Sequence, residues 1–99
     1  MMLQSEKINQ IAQSAATQNL GAKAVRRATS EPTIDSKGHD ALRITIVVDR
    51  KDFPRFAGDS ILNTLYQIQT RLLEQGEERP AIIEYATDEE LKESADSKS

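Results

Sequence analysis

His39 is the only histidine in the sequence, and Asp40 follows it directly. An aspartate beside a histidine could orient the imidazole for general acid–base chemistry. The chain has no cysteine and no serine-nucleophile motif to accompany the histidine, and a lone histidine cannot form a His-rich metal site. We therefore interpret His39 as a polar residue of a turn, and we predict no catalytic residue.

Acidic residues crowd the C-terminal part of the chain, where four carboxylates could supply the oxygen ligands that Ca²⁺ or Mg²⁺ requires. They are Asp88, Glu89, Glu90 and Glu93. The stretch lacks the alternating Asp/Asn positions and central glycine of an EF-hand loop. Thr87 followed three residues later by Glu90 matches a helix capping box, so we predict a capped short helix and no metal site. The four glycines are scattered and form no phosphate-binding loop, so we predict no cofactor.

Five basic residues lie in and around the first predicted hairpin and could contact the phosphates of RNA. These candidate nucleic-acid-binding residues are Lys23, Arg26, Arg27, Lys37 and Arg43. The alternative is a solvated strand surface on which these cations pair with neighbouring acids. The acids available for such pairs are Glu31, Asp35 and Asp40. We favour the solvated surface, because the chain has a pI near 5.1 and no aromatic pair on the sheet for base stacking.

The only two phenylalanines, Phe53 and Phe56, flank Pro54 in a predicted loop. They could form a hydrophobic knob that docks on another protein, which makes them candidate partner-binding residues. The alternative, which we favour, is that both rings fold back over the end of the following helix. The sequence alone does not separate these two interpretations.

The elements that must position these residues belong to one small domain, because 99 residues can bury one core but not two. We predict a single α+β domain over residues 1–93 and a disordered polar tail over residues 94–99. No stretch approaches the roughly 20 apolar residues that a membrane span requires. We therefore expect a cytoplasmic protein that does not contact the membrane.

Apolar spacing predicts the first two elements of the domain. Residues 3–16 carry an approximate i, i+3, i+4, i+7 pattern that predicts a helix, with Gly21 placed to end it. Whether this N-terminal helix, within residues 1–20, packs on the sheet or is loosely attached stays open. Residues 24–34 are β-compatible, and Pro32 favours an edge strand because proline cannot donate a ladder hydrogen bond.

The remaining elements follow from alternation and helical periodicity. Residues 42–48 alternate with a period of two and predict the central strand, separated from the first strand by a turn-forming hairpin loop. Residues 61–73 predict the principal helix, capped by Asp59 or Ser60, with its apolar residues in the core. Those apolar residues are Ile61, Leu62, Leu65, Ile68, Leu72 and Leu73. Residues 81–86 predict a short third strand.

The element order α-β-β-α-β-(short α) places the chain in the α+β class. A strand–helix–strand unit crosses over right-handed, which sets the third strand parallel to the second, whereas the hairpin partner is antiparallel. The prediction is a mixed three-stranded sheet with helices packed mainly on one face. The other face would then be a candidate partner surface.

This order of a basic first strand, a hairpin, an alternating strand, a helix and a final strand, over residues 3–86, resembles the type II KH-like arrangement of the ribosome-binding factor A family. The resemblance implies an RNA-associated architecture. The chain departs from true KH domains at Gly58-Asp59-Ser60-Ile61, which lacks the second glycine of the GxxG loop. It also has only one predicted helix between strands two and three, so the resemblance is one of element order.

The leading functional hypothesis is a non-enzymatic accessory or protein-interaction module. Its partner would be another protein or a second copy of the chain, bound through a sheet face, a strand edge or the loop that holds Phe53 and Phe56. The alternative is an RNA-binding protein that uses the basic hairpin residues. We predict that the chain is not an enzyme and that it binds no small-molecule cofactor.

Overall fold

The computed structural model, which describes residues 3–51 and 56–91, confirms the predicted order of elements. Helix α1 spans Ser5–Leu20, strand β1 spans Val25–Ile34 and strand β2 spans Asp40–Val48. Helix α2 spans Gly58–Glu74 and strand β3 spans Ala81–Thr87. A single helical turn follows at residues 88–91. The predicted tail over residues 94–99 lies outside the described residues.

The three strands form one mixed sheet in the order β1-β2-β3, as predicted. Strand β1 is antiparallel to β2 and β3 is parallel to it, which agrees with a hairpin followed by a crossover through α2. Pro32 lies on β1, an edge strand, where the missing N–H interrupts no interior ladder. The central strand therefore carries the core, and both edges of the sheet belong to strands with one neighbour.

Both helices pack on the same face of the sheet and bury the even-numbered residues of β2. Those residues are Leu42, Ile44, Ile46 and Val48, each at most 1% exposed. Helix α1 contributes Ile8 together with Ala12, Ala15 and Ala16, whose small side chains allow the helix to approach the sheet closely. This packing answers the question that the sequence left open, since α1 is an integral part of the core.

Of the two predicted helix N-caps, the one for α2 is wrong and the one at Thr87 is confirmed. Helix α2 begins after Ala57 with no side-chain cap, so the predicted caps Asp59 and Ser60 are wrong and both residues lie in the first turn. Asp59 still stabilises this end, because a carboxylate is favourable near a helix N-terminus. Thr87 caps the last turn as predicted, accepting a 3.2 Å hydrogen bond at Oγ1 from the backbone N–H of Glu90.

The hairpin loop between β1 and β2 is organised by Asp35 and Gly38. One carboxylate oxygen of Asp35 accepts hydrogen bonds of 2.9 Å from the backbone N–H groups of Lys37 and His39. The bond from His39 is the largest contribution that lowers the pKa of Asp35. Gly38 has φ of +84°, a left-handed conformation that a residue with a Cβ rarely adopts.

We expect Gly38→Ala to destabilise the protein by about 1 kcal/mol, because alanine is strained at this φ even though open space surrounds the position. Gly58 provides a matched control, since it also has open space but no positive φ and it begins α2. Gly58→Ala is expected to be neutral or to stabilise by up to about 0.5 kcal/mol. Urea denaturation measures the free energy of unfolding of both variants. Equal effects of the two substitutions would contradict the left-handed conformation of Gly38.

Candidate functional site

His39 lies in the hairpin loop, as predicted, with its side chain 74% exposed. Its Nδ1 is 3.8 Å from Oδ2 of Asp35, four residues earlier, so the contacting acid is Asp35 and not the adjacent Asp40. At this distance the contact is an ionic one when the imidazole is protonated and is too long for a hydrogen bond. The geometry is that of a solvated turn residue.

The five basic candidates do not form one surface in the structure. Lys23 precedes the start of β1 and Lys37 lies in the loop beyond its end, so the two are separated by the length of a ten-residue strand, about 30 Å. Arg26 and Arg27 are adjacent at the start of the strand. Arg43 lies farther along the sheet on β2, opposite Glu31.

Each of the three arginines has a carboxylate partner. Arg26 is 3.0 Å from Asp49, and Arg27 is 3.0 Å from Asp88. Arg43 lies on the face of the sheet that the helices leave uncovered. It is 3.3 Å from Glu31 on β1 and 3.5 Å from Glu84 on β3. These pairs match the solvated-surface interpretation, with different acids for Arg26 and Arg27 than the sequence had offered. They also place charged groups on the predicted partner surface of this face.

Three of the four acidic residues that could have held a cation are divided among separate partners, and the fourth, Glu93, lies outside the described residues. Asp88 pairs with Arg27 and Glu89 with Arg50, while Glu90 accepts a hydrogen bond from the hydroxyl of Thr87. Over residues 3–51 and 56–91, no group of three His, Cys, Asp or Glu side chains is placed to hold a metal ion. Within the same ranges, no helix has the length and apolar character needed to cross a bilayer.

Of the two phenylalanines, Phe53 lies outside the described residues. Phe56 is half-buried and packs against the hydrophobic core beside the start of α2. This contact is the one that the alternative interpretation predicts for Phe56. A partner-binding role for Phe53 and Phe56 stays a prediction.

Helix α2 carries four of the seven large hydrophobic side chains that are exposed among the described residues, and here the sequence prediction is wrong in part. Ile68 and Leu72 are fully buried, as predicted, whereas Leu62, Leu65 and Leu73 are 64%, 38% and 56% exposed. Tyr66, on the same side, is 71% exposed. We call this surface the α2 outer stripe and define it as Leu62, Leu65, Tyr66, Gln69 and Leu73.

The stripe exists because the apolar arc of α2 is wider than its contact with the rest of the protein. At about 100° per residue, positions 61 to 73 place apolar side chains over an arc of roughly 160°, wider than the roughly 100° needed to face a core. The inner part of the arc holds Thr64, Ile68 and Leu72, which are buried. The outer part has no covering element among the described residues.

The outer stripe borders a groove of about 570 Å³ between α2 and the start of β3. Its lining is mostly apolar and contains Leu62, Asn63, Leu65, Tyr66, Gln69 and Ala81. Gln69 connects the two walls, because its Oε1 accepts a 3.0 Å hydrogen bond from the backbone N–H of Ala81. The only charged residues of α2 are Asp59, Arg71 and Glu74, so the stripe itself is uncharged.

Arg71, the one cation of α2, is directed to α1 and not to the stripe. Its guanidinium donates hydrogen bonds of 3.3 Å to Ser14 and 2.6 Å to Gln18. Asn19 supports the same contact by donating a 3.0 Å hydrogen bond to Gln67 of α2. These polar contacts hold one side of α2 against α1, and the apolar side chains on the opposite side face solvent.

A buried ion pair secures the end of α2. Gly76, with φ of +88°, ends the helix in a Schellman motif, in which Glu77 N–H donates to the carbonyl of Leu72 at 2.9 Å. This turn directs the Glu77 side chain inward, where it is 1% exposed. Its carboxylate accepts hydrogen bonds of 2.9 Å from the Arg79 guanidinium and from the backbone N–H of Leu3.

The bonds from Arg79 are the main reason that the pKa of Glu77 is lowered from 4.5 to about 2. The pKa of Arg79 is raised by the same contact. Because Leu3 precedes α1 and Glu77 follows α2, the pair joins the two helices at one end of the domain. Sequence reasoning missed this network, since nothing local distinguishes Glu77 from Glu78.

No protein-family model matches this chain, and neither a curated protein nor a solved structure matches it. The function must therefore be argued from the geometry. The α2 outer stripe is the candidate site that this geometry supports best, because it combines large exposed apolar side chains with an adjoining groove.

Proposed function

We propose that this chain is a non-enzymatic protein-interaction module that binds another protein through the α2 outer stripe. The observation that carries the proposal is the exposure of Leu62, Tyr66 and Leu73, by 64%, 71% and 56%, on one side of a helix that has no charged residue between positions 60 and 70. Removing such side chains from water favours association by roughly 25 cal/mol per Å² of apolar area, before the costs of binding are subtracted.

The chemistry of the stripe favours protein over nucleic acid. Binding to RNA or DNA requires cations that neutralise phosphates, and the outer stripe contains none. The centre of a protein–protein interface is instead depleted in charge and enriched in aromatic residues, which describes the surroundings of Tyr66. The RNA-binding alternative has weaker support, because Arg26, Arg27 and Arg43 already pair with carboxylates.

A membrane surface is also a poorer match than a protein. Helices that lie in the membrane interface carry lysines and arginines on their polar side, which attract anionic lipids. Helix α2 has a single cation, Arg71, and that side chain is held by Ser14 and Gln18 of α1. The uncharged stripe therefore has the chemistry of a surface that is buried by a second protein.

Site-specific photo-crosslinking tests the proposal in cells that produce the full chain. We expect a photoreactive phenylalanine analogue at position 66 to form a covalent adduct with protein after irradiation, because Tyr66 would lie at the centre of the contact. The same analogue at position 34 is the matched control, since Ile34 is 64% exposed at the far end of β1 and lies outside the stripe.

Three results of this experiment have distinct meanings. A protein adduct at position 66 but not at position 34 supports the stripe as a binding surface. Adduct yields at position 66 no greater than those at position 34 would remove the proposal. An adduct that is destroyed by ribonuclease would replace the proposal with the RNA-binding alternative.

A further inference from the structure

We infer that the partner of the α2 outer stripe is a second copy of this chain, bound across a two-fold axis with the two α2 helices antiparallel. The inference rests on the proposed function, because it names the partner of the same surface. It goes further by specifying the orientation and the contacts.

The order of residues along the stripe is complementary to itself when the direction is reversed. A two-fold axis that passes midway between Tyr66 and Gln69 sets Leu62 of one copy against Leu73 of the other. The same axis sets Tyr66 against Gln69 of the second copy. An isologous contact of this kind requires one surface to match its own reverse, and here apolar ends meet apolar ends.

The central polar pair is also matched. Gln69 accepts the backbone N–H of Ala81 with its Oε1, which leaves the amide N–H groups of the same side chain as donors. The phenol oxygen of Tyr66 on the second copy is an acceptor within the same contact. Tyrosine is enriched at such interfaces because its ring is apolar while its hydroxyl needs a hydrogen-bond partner.

Charge and composition favour a copy over the chain's own C-terminal residues. Residues 60–70 contain no charged side chain, so a second copy would bring no like charge against the centre of the stripe. Residues 92–99 read Lys-Glu-Ser-Ala-Asp-Ser-Lys-Ser, in which Ala95 is the only apolar residue. Such a sequence has almost no apolar side chain that could pack against the leucine and tyrosine side chains of the stripe.

The exposed apolar area fits a weak dimer. The four large apolar side chains of the stripe expose on the order of 400 Å² in each copy, about half of the roughly 800 Å² that each partner buries in a standard interface. The neighbouring residues Asn63, Gln69 and Ala81, which line the groove, lie where they would add to this area. We therefore expect a dissociation constant in the micromolar range.

Sedimentation velocity of the purified full chain tests the inference. At about 100 μM, well above a micromolar dissociation constant, the wild-type mass is expected to be twice the 11.0 kDa of one chain. Leu62→Lys, which preserves helix propensity, is expected to raise the dissociation constant at least about 30-fold. Added salt is expected not to dissociate the wild-type dimer, because the contact is apolar.

Ile34→Lys is the matched control, since Ile34 and Leu62 are both 64% exposed and receive the same charge. It is expected to leave the dimer intact. Circular dichroism confirms that each variant is folded, and Tyr66→Lys replaces Leu62→Lys if the latter is not. A wild-type chain that stays monomeric at 100 μM, or a dimer unaffected by the stripe variants, would overturn the inference.

The two proposals can fail separately. A monomeric chain that still forms an adduct with a different protein at position 66 keeps the proposed function and removes the dimer. An adduct at position 66 with the mass of two chains supports both. A monomeric chain without any adduct at position 66 removes both.

Discussion

Ile68→Ala is expected to destabilise the protein by about 3 kcal/mol, within the range of large-to-small substitutions in a packed core. Ile68 is fully buried and contributes to the cluster that joins α1, α2 and the sheet. Alanine removes apolar contacts and leaves a cavity that the surrounding elements can close only in part. For a domain of 99 residues, this loss corresponds to a fall in melting temperature of roughly 15 °C.

The control for this substitution is Ile34→Ala, because Ile34 has the same side chain but is 64% exposed at the end of β1. We expect it to change the free energy of unfolding by less than about 1 kcal/mol. Thermal and urea denaturation at one low protein concentration measure both variants. Similar losses for the two isoleucines would contradict the placement of α2 against the sheet.

Glu77→Gln is expected to destabilise the protein by about 3 kcal/mol at pH 7. The substitution removes the negative charge that Arg79 and the N–H of Leu3 face in a buried environment, and it leaves the guanidinium without its counter-ion. Arg79 itself is only 13% exposed at its side chain, so water replaces the lost carboxylate poorly. The control is Glu78→Gln, an exposed neighbour, which we expect to have an effect of less than about 0.5 kcal/mol.

The same ion pair predicts how stability depends on pH. Because the pKa of Glu77 is about 2 in the folded protein and 4.5 as the ordinary value, the unfolded chain binds this proton first as the pH falls. The stabilising contribution is complete above pH 4.5, is about 3 kcal/mol at pH 7, and is lost as the pH falls toward 2.

Urea denaturation across this pH range compares the wild type with Glu77→Gln. The difference in their free energies of unfolding is expected to narrow below pH 4.5 and to be largely gone at pH 2. A difference that stays constant over the whole range would mean that the substitution acts through packing and not through the charge. That result would contradict the lowered pKa of Glu77 in the folded protein.

The residues that stabilise the fold and those of the proposed interaction lie on different sides of α2. Ile68 and Leu72 face the sheet, while Arg71 attaches the helix to α1 through Ser14 and Gln18. Gly76 and Glu77 then end the helix and connect it to the chain before α1. The outer stripe can consequently be altered by substitution without disturbing the core, which is why the variants proposed above separate folding from binding.

The sequence by itself determined the order of the elements and the core residues of the central strand. Alternation over residues 42–48 identified the central strand, and Pro32 placed β1 at an edge, because both signals act within a single strand. The class of the fold followed from element order and from the handedness of crossovers. Local geometry also explains the correct prediction of Thr87 as a cap.

Only the tertiary structure decided which part of the apolar arc of α2 faces solvent. A helix pattern shows which residues share a side, but the direction of that side depends on contacts with residues of α1 that lie more than forty positions earlier. The same holds for Glu77 and Glu78, which look alike in sequence until the turn at Gly76 directs one inward. Long-range packing thus determines which of these side chains are exposed, because local periodicity carries no information about the neighbours of an element.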